Sequence, residues 1–365
     1  MGFHRKRLIS FIMNNTCNCR CVYCPYFGRG GLFSNAPAQR LSLAFAECGL
    51  RDFFATHPER AIRFMGIGEP TLDFDEIAAI TALARGLAGG PIFVELQTNG
   101  EFSPRVARWL ASNASLVWVS MDGVRDVQDA YRPRRDGRSS FEVVDRNLRL
   151  LAAGACTVGL RATVGVRNLH RQRELVDYAL SHGIRAIDVE PLGPFEACAQ
   201  EAPDPDAFIH TFSEALVYAE ARGVHYTTWG LINFDEEVEI ACRTSLPMPH
   251  LIPDGWVSAC DMANTADTRL QGLLYGRYDP EADRIHYDPE RIAGTQRRTV
   301  AALPDGCQRC PLLRHCAGGC VGAAYWNSGS LYGIDPAFCH IVRTLAARFP
   351  EKLGAGYDPS LPLHP

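Results

Sequence analysis

Three cysteines near the N-terminus constrain this chain more than any other feature. Cys17, Cys21 and Cys24 follow the spacing C-x3-C-x2-C, which puts three thiolates in one short loop. A closed [4Fe–4S] cluster takes four protein thiolates, so three would leave one iron free for an outside ligand, much as a catalytic zinc keeps an open position. The loop alone also allows a zinc site or a group of reduced cysteines, because a short motif needs its context. Cys19 lies inside the loop but off the spacing, and we interpret it as a spectator.

Length and composition indicate an ordinary globular protein. The 365 residues suit one large domain with a smaller one, and 47% of them are hydrophobic and 21% charged. A net charge of −4 does not indicate nucleic acid or an acidic membrane surface as a partner. The apolar run after Arg7 is too short for a signal peptide and lacks a cleavage site, and no segment is long enough to span a membrane. The sequence therefore predicts a cytoplasmic protein.

The cysteines are numerous and unevenly spread. Of the 14 in the chain, four lie between residues 17 and 24, and four more between residues 307 and 320. In a secreted chain they would suggest disulfides, but in a cytoplasmic protein such cysteines are more often metal ligands or catalytic thiols. Clustering of this kind favours metal binding.

Short β-rich runs alternate with longer helical stretches from residue 7 to about residue 193, which is typical of a parallel-sheet α/β fold. The predicted strands are apolar runs, as strands covered on both faces should be: Arg7–Met13, Ala61–Ile67, Ile92–Thr98, Leu116–Met121, Val158–Val164 and Ala186–Leu192. The predicted helices between them are Leu41–Thr56, Phe74–Leu87, Pro104–Ser112, Phe141–Ala153 and Leu169–His182. The six predicted strand–helix units are two fewer than in a full eight-stranded barrel. In barrels of this type the active site lies at the C-terminal ends of the strands. The cysteine loop follows the first strand and falls at that end.

With Tyr23 directly before Cys24, the loop resembles the signature of the radical S-adenosylmethionine (SAM) enzymes. The resemblance spans residues 7 to 193 and implies a partial (β/α)6 barrel. It also implies that Cys17, Cys21 and Cys24 hold a [4Fe–4S] cluster whose open iron is chelated by the amino and carboxylate groups of SAM. In that family an electron from the cluster splits SAM into methionine and a 5′-deoxyadenosyl radical, which takes a hydrogen atom from an unactivated C–H bond.

A glycine-rich segment follows the second predicted strand. It contains Gly66, Gly68 and Glu69 and is similar to the Gly-Gly-Glu-Pro segment that holds the SAM amino group in this family. Glycines let a backbone approach a ligand closely, and a carboxylate suits an ammonium group. Ile67 replaces the first glycine of the pair, which alters the expected contacts, and an ordinary turn is the alternative interpretation.

Two further strand ends resemble segments that line the SAM and substrate cavity of this family. The third predicted strand ends in Gln97 and Asn99, and the fourth ends in Ser120. An Asn-Gly or Asp-Gly pair occurs at each of these places, so a turn is again the alternative. The arginines of the basic loop Arg132–Arg138 are predicted to be solvated, with Arg132 facing the cavity as the open alternative.

Residues 242 to 339 carry a second set of cysteines. They follow C-x12-G-x4-C, then C-x2-C-x5-C-x3-C, and then one more: Cys242, Cys260, Cys307, Cys310, Cys316, Cys320 and Cys339. Asp254 and Gly255 predict a hairpin turn that brings the first two near each other. The order resembles the seven-cysteine SPASM domain, an auxiliary-cluster module found C-terminal to some radical SAM barrels. A zinc ribbon is the alternative, because thiolate spacing alone does not identify the metal.

The SPASM resemblance implies an interleaved set of ligands for two auxiliary clusters. The distal cluster would take Cys307, Cys310, Cys316 and Cys339, and the proximal cluster Cys242, Cys260 and Cys320. The proximal set is one thiolate short, so that cluster is either open to substrate or takes an outside ligand such as Cys198. We interpret Cys198, like Cys48 and Cys156, as a buried free thiol.

Asp261 directly follows Cys260, as an aspartate does in the sulfatase-maturating members of the family. The resemblance implies that Asp261 takes the proton when the substrate radical is oxidised. A carboxylate beside an electron-accepting cluster is a sensible place for a base. A turn residue that caps the loop is the alternative.

The predicted domains are a radical SAM partial barrel over residues 1–200, a connecting helical segment over 201–240, a SPASM domain over 241–345 and a tail over 346–365. The connecting segment contains one predicted amphipathic helix, Asp206–Arg222. Because only a few residues precede the first strand and about two dozen follow Cys339, we expect no separate leader-peptide-binding domain.

The sequence thus predicts a radical SAM/SPASM enzyme that oxidatively modifies a side chain of a ribosomally made peptide or of a protein, giving a crosslink, a double bond or a carbonyl. Its cofactors would be SAM and [4Fe–4S] clusters. Its partners would be the peptide or protein substrate, a separate leader-peptide recognition protein, and a reductase, flavodoxin or ferredoxin as electron donor. The alternatives are a formylglycine-forming sulfatase-maturating enzyme, a small-molecule radical SAM dehydrogenase, and a non-catalytic iron–sulfur carrier, although a carrier would close its clusters.

Overall fold

The computed structural model describes residues 6–28, 31, 33, 36–193, 196–231, 233–265 and 269–354, without the side chains of residues 196–198. The strands are β1 (Ile9–Ile12), β2 (Ala61–Met65), β3 (Phe93–Thr98), β4 (Leu116–Ser120), β5 (Thr157–Val164), β6 (Ala186–Pro191), β7 (His225–Thr227), β8 (His250–Leu251), β9 (Trp256–Ser258), β10 (Leu274–Asp279) and β11 (Arg284–Tyr287). The helices are α1 (Leu43–Thr56), α2 (Phe74–Ala88), α3 (Pro104–Asn113), α4 (Arg125–Tyr131), α5 (Phe141–Ala152), α6 (Gln172–Ser181), α7 (Pro205–Glu220), α8 (Pro289–Gln296), α9 (Asp305–Gln308), α10 (Leu313–Cys316), α11 (Val321–Ser328) and α12 (Pro336–Arg348).

All of these strands belong to one sheet, in the order β11-β10-β9-β8-β1-β2-β3-β4-β5-β6-β7. From β1 to β6 the neighbours are parallel and follow one another along the chain, with at least one helix between each pair. Every residue of β1, β2 and β4 is buried, as expected for strands covered on both faces. The six predicted strands are all present, and the predicted partial (β/α)6 barrel is confirmed.

Capping side chains explain where several helices begin. The Ser42 hydroxyl accepts a hydrogen bond from the backbone N–H of Phe45 at the start of α1, at 3.2 Å. The Ser103 hydroxyl does the same for the N–H of Val106 at the start of α3, where Pro104 occupies the first turn. Both residue types are favoured at these positions, and the predicted start of α3 is confirmed.

The helices pack their apolar sides against the sheet and turn their polar sides outward. In α5, for example, Val144, Leu148 and Leu151 are fully buried within the same hydrophobic cluster as the strands. Within the described ranges, no helix combines the length and the apolarity that crossing a membrane would require.

The segment after β6 adds a seventh parallel strand that the sequence did not predict. Strand β7 pairs with β6, with His225 opposite Ala186. The helix before it, α7, begins at Pro205 and ends at Glu220, close to the predicted Asp206–Arg222. The strand escaped prediction because three residues are too few to show a period-two pattern.

The C-terminal strands continue the sheet beyond β1. Strand β8 lies parallel to β1, and β9, β10 and β11 follow as antiparallel neighbours. The turn between β8 and β9 has Gly255 with φ of +87°, a value that glycine adopts readily, so the predicted hairpin is confirmed. This arrangement brings Cys260, just after β9, back toward the interior of the barrel.

Candidate active site

The N-terminal cysteine loop leaves β1 at the C-terminal end of the parallel strands, where backbone hydrogen bonds hold it. The N–H groups of Arg20 and Val22 donate to the carbonyls of Pro133 and Tyr131, at 2.8 and 2.9 Å. Cys19 and Arg134 also form an antiparallel bridge. The loop is therefore paired along its length with the segment that follows α4.

Each of the three predicted thiols has a hydrogen-bond donor at its sulfur. The backbone N–H of Cys19 donates to Cys17 Sγ at 3.4 Å, and that of Phe27 donates to Cys24 Sγ at 3.4 Å. Arg132 Nη1 lies 3.9 Å from Cys21 Sγ. Donors of this kind favour the charged thiolate over the thiol.

The thiols also influence one another electrostatically. Burial, together with Glu69 and the nearby Cys21 and Cys24, raises the pKa of the Cys17 thiol to about 12. Such thiols give up their protons when a cation binds them. Within the described ranges, no three His, Cys, Asp or Glu side chains converge closely enough to hold one metal ion. A [4Fe–4S] cluster does not need such a point, because each cysteine thiolate binds a different iron of the cluster.

The glycine-rich segment after β2 lies directly against the cysteine loop. The N–H of Glu69 donates to the carbonyl of Thr16 at 2.8 Å. A Cβ on Gly68 would lie only 1.7 Å from that same carbonyl oxygen, and a Cβ on Gly66 would lie 2.4 Å from the carbonyl oxygen of Gly68. Only glycine fits at these two positions without moving backbone, which for Gly68 is the segment that leads to Cys17.

The Glu69 carboxylate is only 1% exposed and joins two strand ends. Its Oε1 accepts from the hydroxyls of Thr71 and Thr98, both at 2.6 Å, and its Oε2 accepts from the backbone N–H of Asn99 at 2.7 Å. Burial raises the pKa of Glu69, while these hydrogen bonds oppose that rise. The side chain thus fixes the loop after β2 to the end of β3, and its predicted contact with the SAM amino group stays a prediction.

Asn99, Gln97 and Ser120 occupy two different parts of the site. Asn99 Nδ2 donates to the Asn18 side chain at 2.7 Å and lies 3.7 Å from Cys17 Sγ, so it belongs to the cysteine loop. Gln97 Oε1 accepts from Arg161 at 3.0 Å, and Ser120 pairs in register with Arg161 on β5. The last two therefore lie on the inner face of the barrel.

Tyr23 and Arg132 share one buried carboxylate. The Tyr23 hydroxyl donates to Asp122 Oδ2 at 2.5 Å, and Arg132 Nε donates to the same oxygen at 2.8 Å. The side chain of Asp122 is fully buried, and that of Arg132 is 12% exposed. The expectation of a solvated loop is therefore wrong at Arg132, because Asp122 provides it with a buried counter-ion.

A cavity of about 180 Å³ lies inside the barrel, between the strands and the C-terminal module. Side chains of β2 to β6 form one part of its wall: Arg63, Glu95, Trp118, Arg161 and Asp188. Trp229 and residues of the C-terminal module form the rest: Cys242, Arg243, Thr244, His250, Cys260, Asp261, Met262 and Cys320. The barrel interior thus meets one set of auxiliary cysteines at a polar cavity.

Ion pairs shape the electrostatics of this cavity. Arg161 Nε lies 3.1 Å from Asp188 Oδ2, and Arg63 Nη2 lies 2.9 Å from Asp261 Oδ2. Burial alone would raise the pKa of Asp261, but Arg63 and the neighbouring His250 and Arg243 outweigh it and lower that pKa to about 2. Asp261 is therefore ionised at neutral pH.

Sequence reasoning missed the charged side chains of the barrel strands. They include Glu190 on β6, whose pKa is raised by burial and by the nearby Asp188. Its carboxylate accepts from the backbone N–H of Trp229 at 2.5 Å. Charged residues inside otherwise apolar strands, such as Asp188 and Glu190 in β6, were the available signal, because a buried charge needs a polar partner or a polar cavity.

The auxiliary cysteines form two groups. Burial raises the pKa of the Cys260 thiol, and Asp261 and the nearby Cys320 and Cys242 add to this rise. The second group lies around Cys316, whose pKa is raised to about 11 by burial and by its neighbours Cys339, Cys307 and Cys310. The electrostatic neighbours of Cys260 and Cys316 match the two predicted ligand sets, and the role of these cysteines as cluster ligands stays a prediction.

Outside the N-terminal loop and the second set, the sequence has three more cysteines. Cys48 and Cys156 are buried, at 3% and 8% exposure, as predicted for free thiols. The side chain of Cys198, the predicted outside ligand, lies outside the described residues.

Comparison with known proteins connects this geometry to an enzyme class. No protein-family model matches the chain. The chain is 25% identical over 337 residues to a serine-type anaerobic sulfatase-maturating enzyme of Klebsiella aerogenes, covering 83% of this chain and 76% of the relative. It is 24% identical over 350 residues to the mycofactocin maturase MftC of Mycobacterium tuberculosis, covering 92% of this chain and 83% of the relative.

Solved structures show the same fold. The structure of anSMEcpe with bound AdoMet superposes with a TM-score of 0.73 at 17% identity, covering 94% of this chain and 98% of that one. Streptococcus suis SuiB bound to its precursor peptide SuiA has a TM-score of 0.66 at 15% identity, covering 92% of this chain and 76% of that one. In sequence this chain is similar to enzymes that mature proteins and peptides, and it has the fold of the anSMEcpe structure.

Proposed function

We propose that this chain is a radical SAM enzyme with two auxiliary iron–sulfur clusters that oxidatively modifies a side chain of a ribosomally made peptide or of a protein. The observation that carries the proposal is the placement of the two cysteine-rich regions. One lies at the C-terminal ends of the barrel strands, and the other contributes three thiols to the wall of the barrel cavity. A substrate side chain in this cavity would contact the barrel strands and the second set of cysteines at once.

Cys17, Cys21 and Cys24 would hold the SAM-binding cluster. The donors at their sulfurs support this role, because they stabilise thiolate charge. When bound, the cluster and SAM supply a 5′-deoxyadenosyl radical that removes a hydrogen atom from the substrate. Asn99 and Arg132 hold the loop in place through their contacts with Cys17 and Cys21.

The residues proposed to contact SAM surround this loop or face the barrel interior. They are Tyr23, Gly66, Gly68, Glu69, Gln97, Asn99 and Ser120. The close packing of Gly68 on Thr16 supports a role for the glycine segment, because it fixes that backbone beside the cysteine loop. The two auxiliary groups would each hold one further cluster, which supplies an acceptor for a second electron.

The net reaction is a two-electron oxidation of the substrate. With SAM and the cluster bound, the substrate carbon would lose one hydrogen atom to the 5′-deoxyadenosyl group, and then one electron and one proton as the new bond forms. Asp261 would take that proton, since it is ionised and lines the cavity. Because its pKa is low, Asp261 would pass the proton on to solvent. The electron for SAM cleavage would come from a reductase, a flavodoxin or a ferredoxin.

Several relatives support a peptide or protein as substrate. SuiB is a structural neighbour whose precursor peptide SuiA is bound in the solved complex, and the chain is similar in sequence to a mycofactocin maturase and to sulfatase-maturating enzymes. A separate leader-peptide recognition protein and a cytoplasmic location are further parts of the proposal.

Formylglycine formation on a sulfatase is the second candidate function. The similarity to the serine-type maturase spans 83% of this chain, and a cysteine-type maturase of Clostridium novyi is 27% identical over 143 residues. The consecutive residues Cys260 and Asp261, which resemble a Cys-Asp pair of the sulfatase-maturating enzymes, line the cavity. Both candidate functions use the same radical chemistry and differ in the substrate.

The first experiment tests the clusters and the radical chemistry. Wild type and a Cys17→Ala/Cys21→Ala/Cys24→Ala variant are reconstituted anaerobically, iron is counted, and 5′-deoxyadenosine is assayed with a strong reductant. We expect about twelve irons in the wild type and about eight in the variant, with the nucleoside formed by the wild type alone. The control is a Cys48→Ala/Cys156→Ala variant, which lacks two buried thiols outside the groups and should keep all of its iron. Zinc in place of iron, or no nucleoside from an intact cluster, would overturn the proposal.

The second experiment separates the two candidate functions. The loaded enzyme is incubated with sulfatase peptides that carry serine or cysteine, and with short peptides encoded beside its gene, and products are analysed by mass spectrometry. An aldehyde that hydroxylamine captures on a sulfatase peptide would establish formylglycine formation. Loss of two hydrogens without an aldehyde, on a neighbouring peptide, would establish crosslinking or dehydrogenation.

A further inference from the structure

Arg298, just after α8, is the largest side chain that is fully buried among the described residues, with 1% exposure. Its guanidinium donates to backbone carbonyls. Arg298 Nε donates to Leu331 O at 2.7 Å, and Nη1 donates to Ala317 O at 3.3 Å. Arg298 Nη2 donates to Gly318 O at 3.3 Å and to Gly333 O at 3.4 Å. Every nitrogen of the guanidinium is therefore hydrogen-bonded.

These contacts join the segments that carry auxiliary cysteines. Two of the carbonyls lie in the short loop between Cys316 and Cys320, and the other two lie in the loop before the helix that carries Cys339. The carbonyl of Arg298 itself accepts from the Ser245 hydroxyl at 2.8 Å, in the turn after the first auxiliary cysteine. Arg298 thus lies where all three segments meet.

The backbone around the guanidinium is shaped to accommodate it. Gly318 has φ of +76°, and a Cβ at this position would lie 2.5 Å from Arg298 Nη2. Because the loop turns its carbonyl toward the arginine and leaves no room for a side chain, the site is built around this cation.

A buried guanidinium needs a negative counter-charge, because carbonyls alone do not compensate for lost hydration. In the part of the chain that the structure describes, no Asp or Glu oxygen lies within 4.0 Å of Arg298. Its guanidinium lies beside the loop that carries Cys316, because Nη1 donates to the carbonyl of Ala317, the next residue along the chain. Burial lowers the pKa of Arg298, and Cys242, Cys307, Cys316 and the Tyr332 hydroxyl oppose that decrease. Cys242 belongs to the proximal group, and the other two cysteines belong to the distal group.

We propose that Arg298 is the shared buried counter-ion of the two auxiliary clusters and raises their reduction potentials. The inference rests on the proposed function, since it requires that both cysteine groups hold iron. A cluster bound by thiolates gains one more negative charge when it is reduced, and a nearby cation in a medium of low dielectric constant stabilises that charge. Arg298 would therefore help both clusters to accept the electron that leaves the substrate.

The test uses the Cys17→Ala/Cys21→Ala/Cys24→Ala protein, so that only the auxiliary clusters are present. Arg298→Met is compared with Arg297→Met, which removes the exposed neighbouring arginine, in redox titrations followed by electron paramagnetic resonance. We expect Arg298→Met to lower the equilibrium constant for one-electron reduction of at least one cluster by about tenfold, equal to about 59 mV. Arg297→Met should change it by less than about twofold, because solvent screens an exposed charge.

Arg298→Lys separates the charge from the hydrogen bonds. It keeps the cation and loses the planar fork, so it should leave the potentials closer to the parent values than Arg298→Met does. If neither variant changes the potentials while both lower the urea midpoint, Arg298 only ties the loops together and the inference is wrong. Fewer than about eight irons in the parent would instead contradict the two-cluster proposal itself.

If Arg298→Met fails to retain iron, the iron content of Arg298→Lys decides the question. Lysine keeps the charge and loses the planar fork of hydrogen bonds, so the inference expects Arg298→Lys to retain about eight irons. Loss of iron from both variants would show that the clusters need the hydrogen bonds and not the charge, and it would overturn the inference.

Discussion

The guanidinium of Arg63, in the middle of β2, lies 2.9 Å from the carboxylate of Asp261, which follows Cys260 in the C-terminal module. The two residues are 198 positions apart in the sequence. Their ion pair therefore joins the first part of the barrel to the auxiliary module at the wall of the cavity. Arg63 is 9% exposed and Asp261 is 37% exposed, so the carboxylate is the partner that faces the open space.

Replacing Arg63 by glutamine should make the protein more sensitive to acid. The pKa of Asp261 is lowered to about 2 in the folded protein, where Arg63 and its neighbours outweigh the effect of burial. Its unfolded value is about 3.9, so the carboxylate stabilises the folded state above about pH 4, and this contribution is lost as the pH falls toward about 2. Without Arg63 the pKa of Asp261 rises, and the loss begins at a higher pH.

The measurement is the acid-unfolding midpoint of Arg63→Gln against wild type, followed by circular dichroism. Arg105→Gln is the control, because it breaks an exposed pair with Asp75 at 3.5 Å and should leave the midpoint unchanged. An equal midpoint for wild type and Arg63→Gln would show that the ion pair with Arg63 does not lower the pKa of Asp261.

Replacing Gly68 by alanine should remove the N-terminal cluster and spare the other two. The new Cβ would lie 1.7 Å from the backbone oxygen of Thr16, which cannot move without shifting the loop that begins at Cys17. We expect iron to fall from about twelve to about eight per chain and 5′-deoxyadenosine formation to be lost.

Gly86→Ala is the matched control for this substitution. Gly86 lies within α2, and a Cβ there has nothing within 4 Å. Alanine should therefore keep all iron and raise the free energy of unfolding by about 0.5–1 kcal/mol, because it is the better helix former. Full iron and full activity in Gly68→Ala would contradict the close packing of the two loops.

Much of the fold could be predicted because its signals are local. The strands β1 to β6 are apolar runs separated by helical stretches. Ser103 and Pro104 mark the start of α3, because Ser103 caps the N–H of a residue only three positions later. Strand β7 and the short helix α4 were missed, since three and seven residues hold too little periodicity.

The site was predictable where chemistry depends on spacing and unpredictable where it depends on tertiary contacts. The cysteine sets stand out because cysteines repeat at short intervals in the sequence, and their role as cluster ligands stays a prediction. Nothing near Arg132 in the sequence shows that Asp122 will bury it, and nothing near Asp261 points to Arg63. These partners are joined by the fold alone, and only a charged residue inside an apolar strand, such as Arg161, hints at them.

The Glu190→Gln variant should lose less stability than the wild type as the pH rises. Burial and the neighbouring Asp188 raise the pKa of Glu190 in the folded protein. The folded state therefore holds the proton more tightly than the unfolded chain, whose glutamate titrates near pH 4.3. Stability from this group is complete below that pH and decreases as the pH rises toward the folded pKa.

The urea midpoint of the iron-free protein, measured from pH 5 to pH 8, checks this prediction. Wild type should lose more stability across the range than Glu190→Gln, because glutamine stays uncharged. Glu214→Gln removes an exposed carboxylate and should follow the wild-type curve. Identical slopes for wild type and Glu190→Gln would show that Glu190 titrates normally.

Replacing Asp122 by asparagine should release the cysteine loop from the barrel. The carboxylate of Asp122 is the shared acceptor for the Tyr23 hydroxyl and for Arg132 Nε, and it is fully buried. Without it, Arg132 is a buried cation that has lost its carboxylate and keeps only the weak contact of Nη1 with Cys21 Sγ at 3.9 Å. Breaking a buried ion pair on one side costs about 3–5 kcal/mol, so we expect a large drop in the urea midpoint, with loss of the iron at Cys17, Cys21 and Cys24.

Asp126→Asn provides the comparison for this variant. Asp126 pairs with Arg171 at the surface, where its side chain is 69% exposed, so its loss should change stability little and leave iron and nucleoside formation intact. The decisive readout is therefore the pair of iron count and 5′-deoxyadenosine yield. If Asp122→Asn keeps about twelve irons and wild-type yield, the network from Tyr23 through Asp122 to Arg132 does not support the cluster loop. If it retains about eight irons and forms no nucleoside, the loss is confined to the N-terminal site.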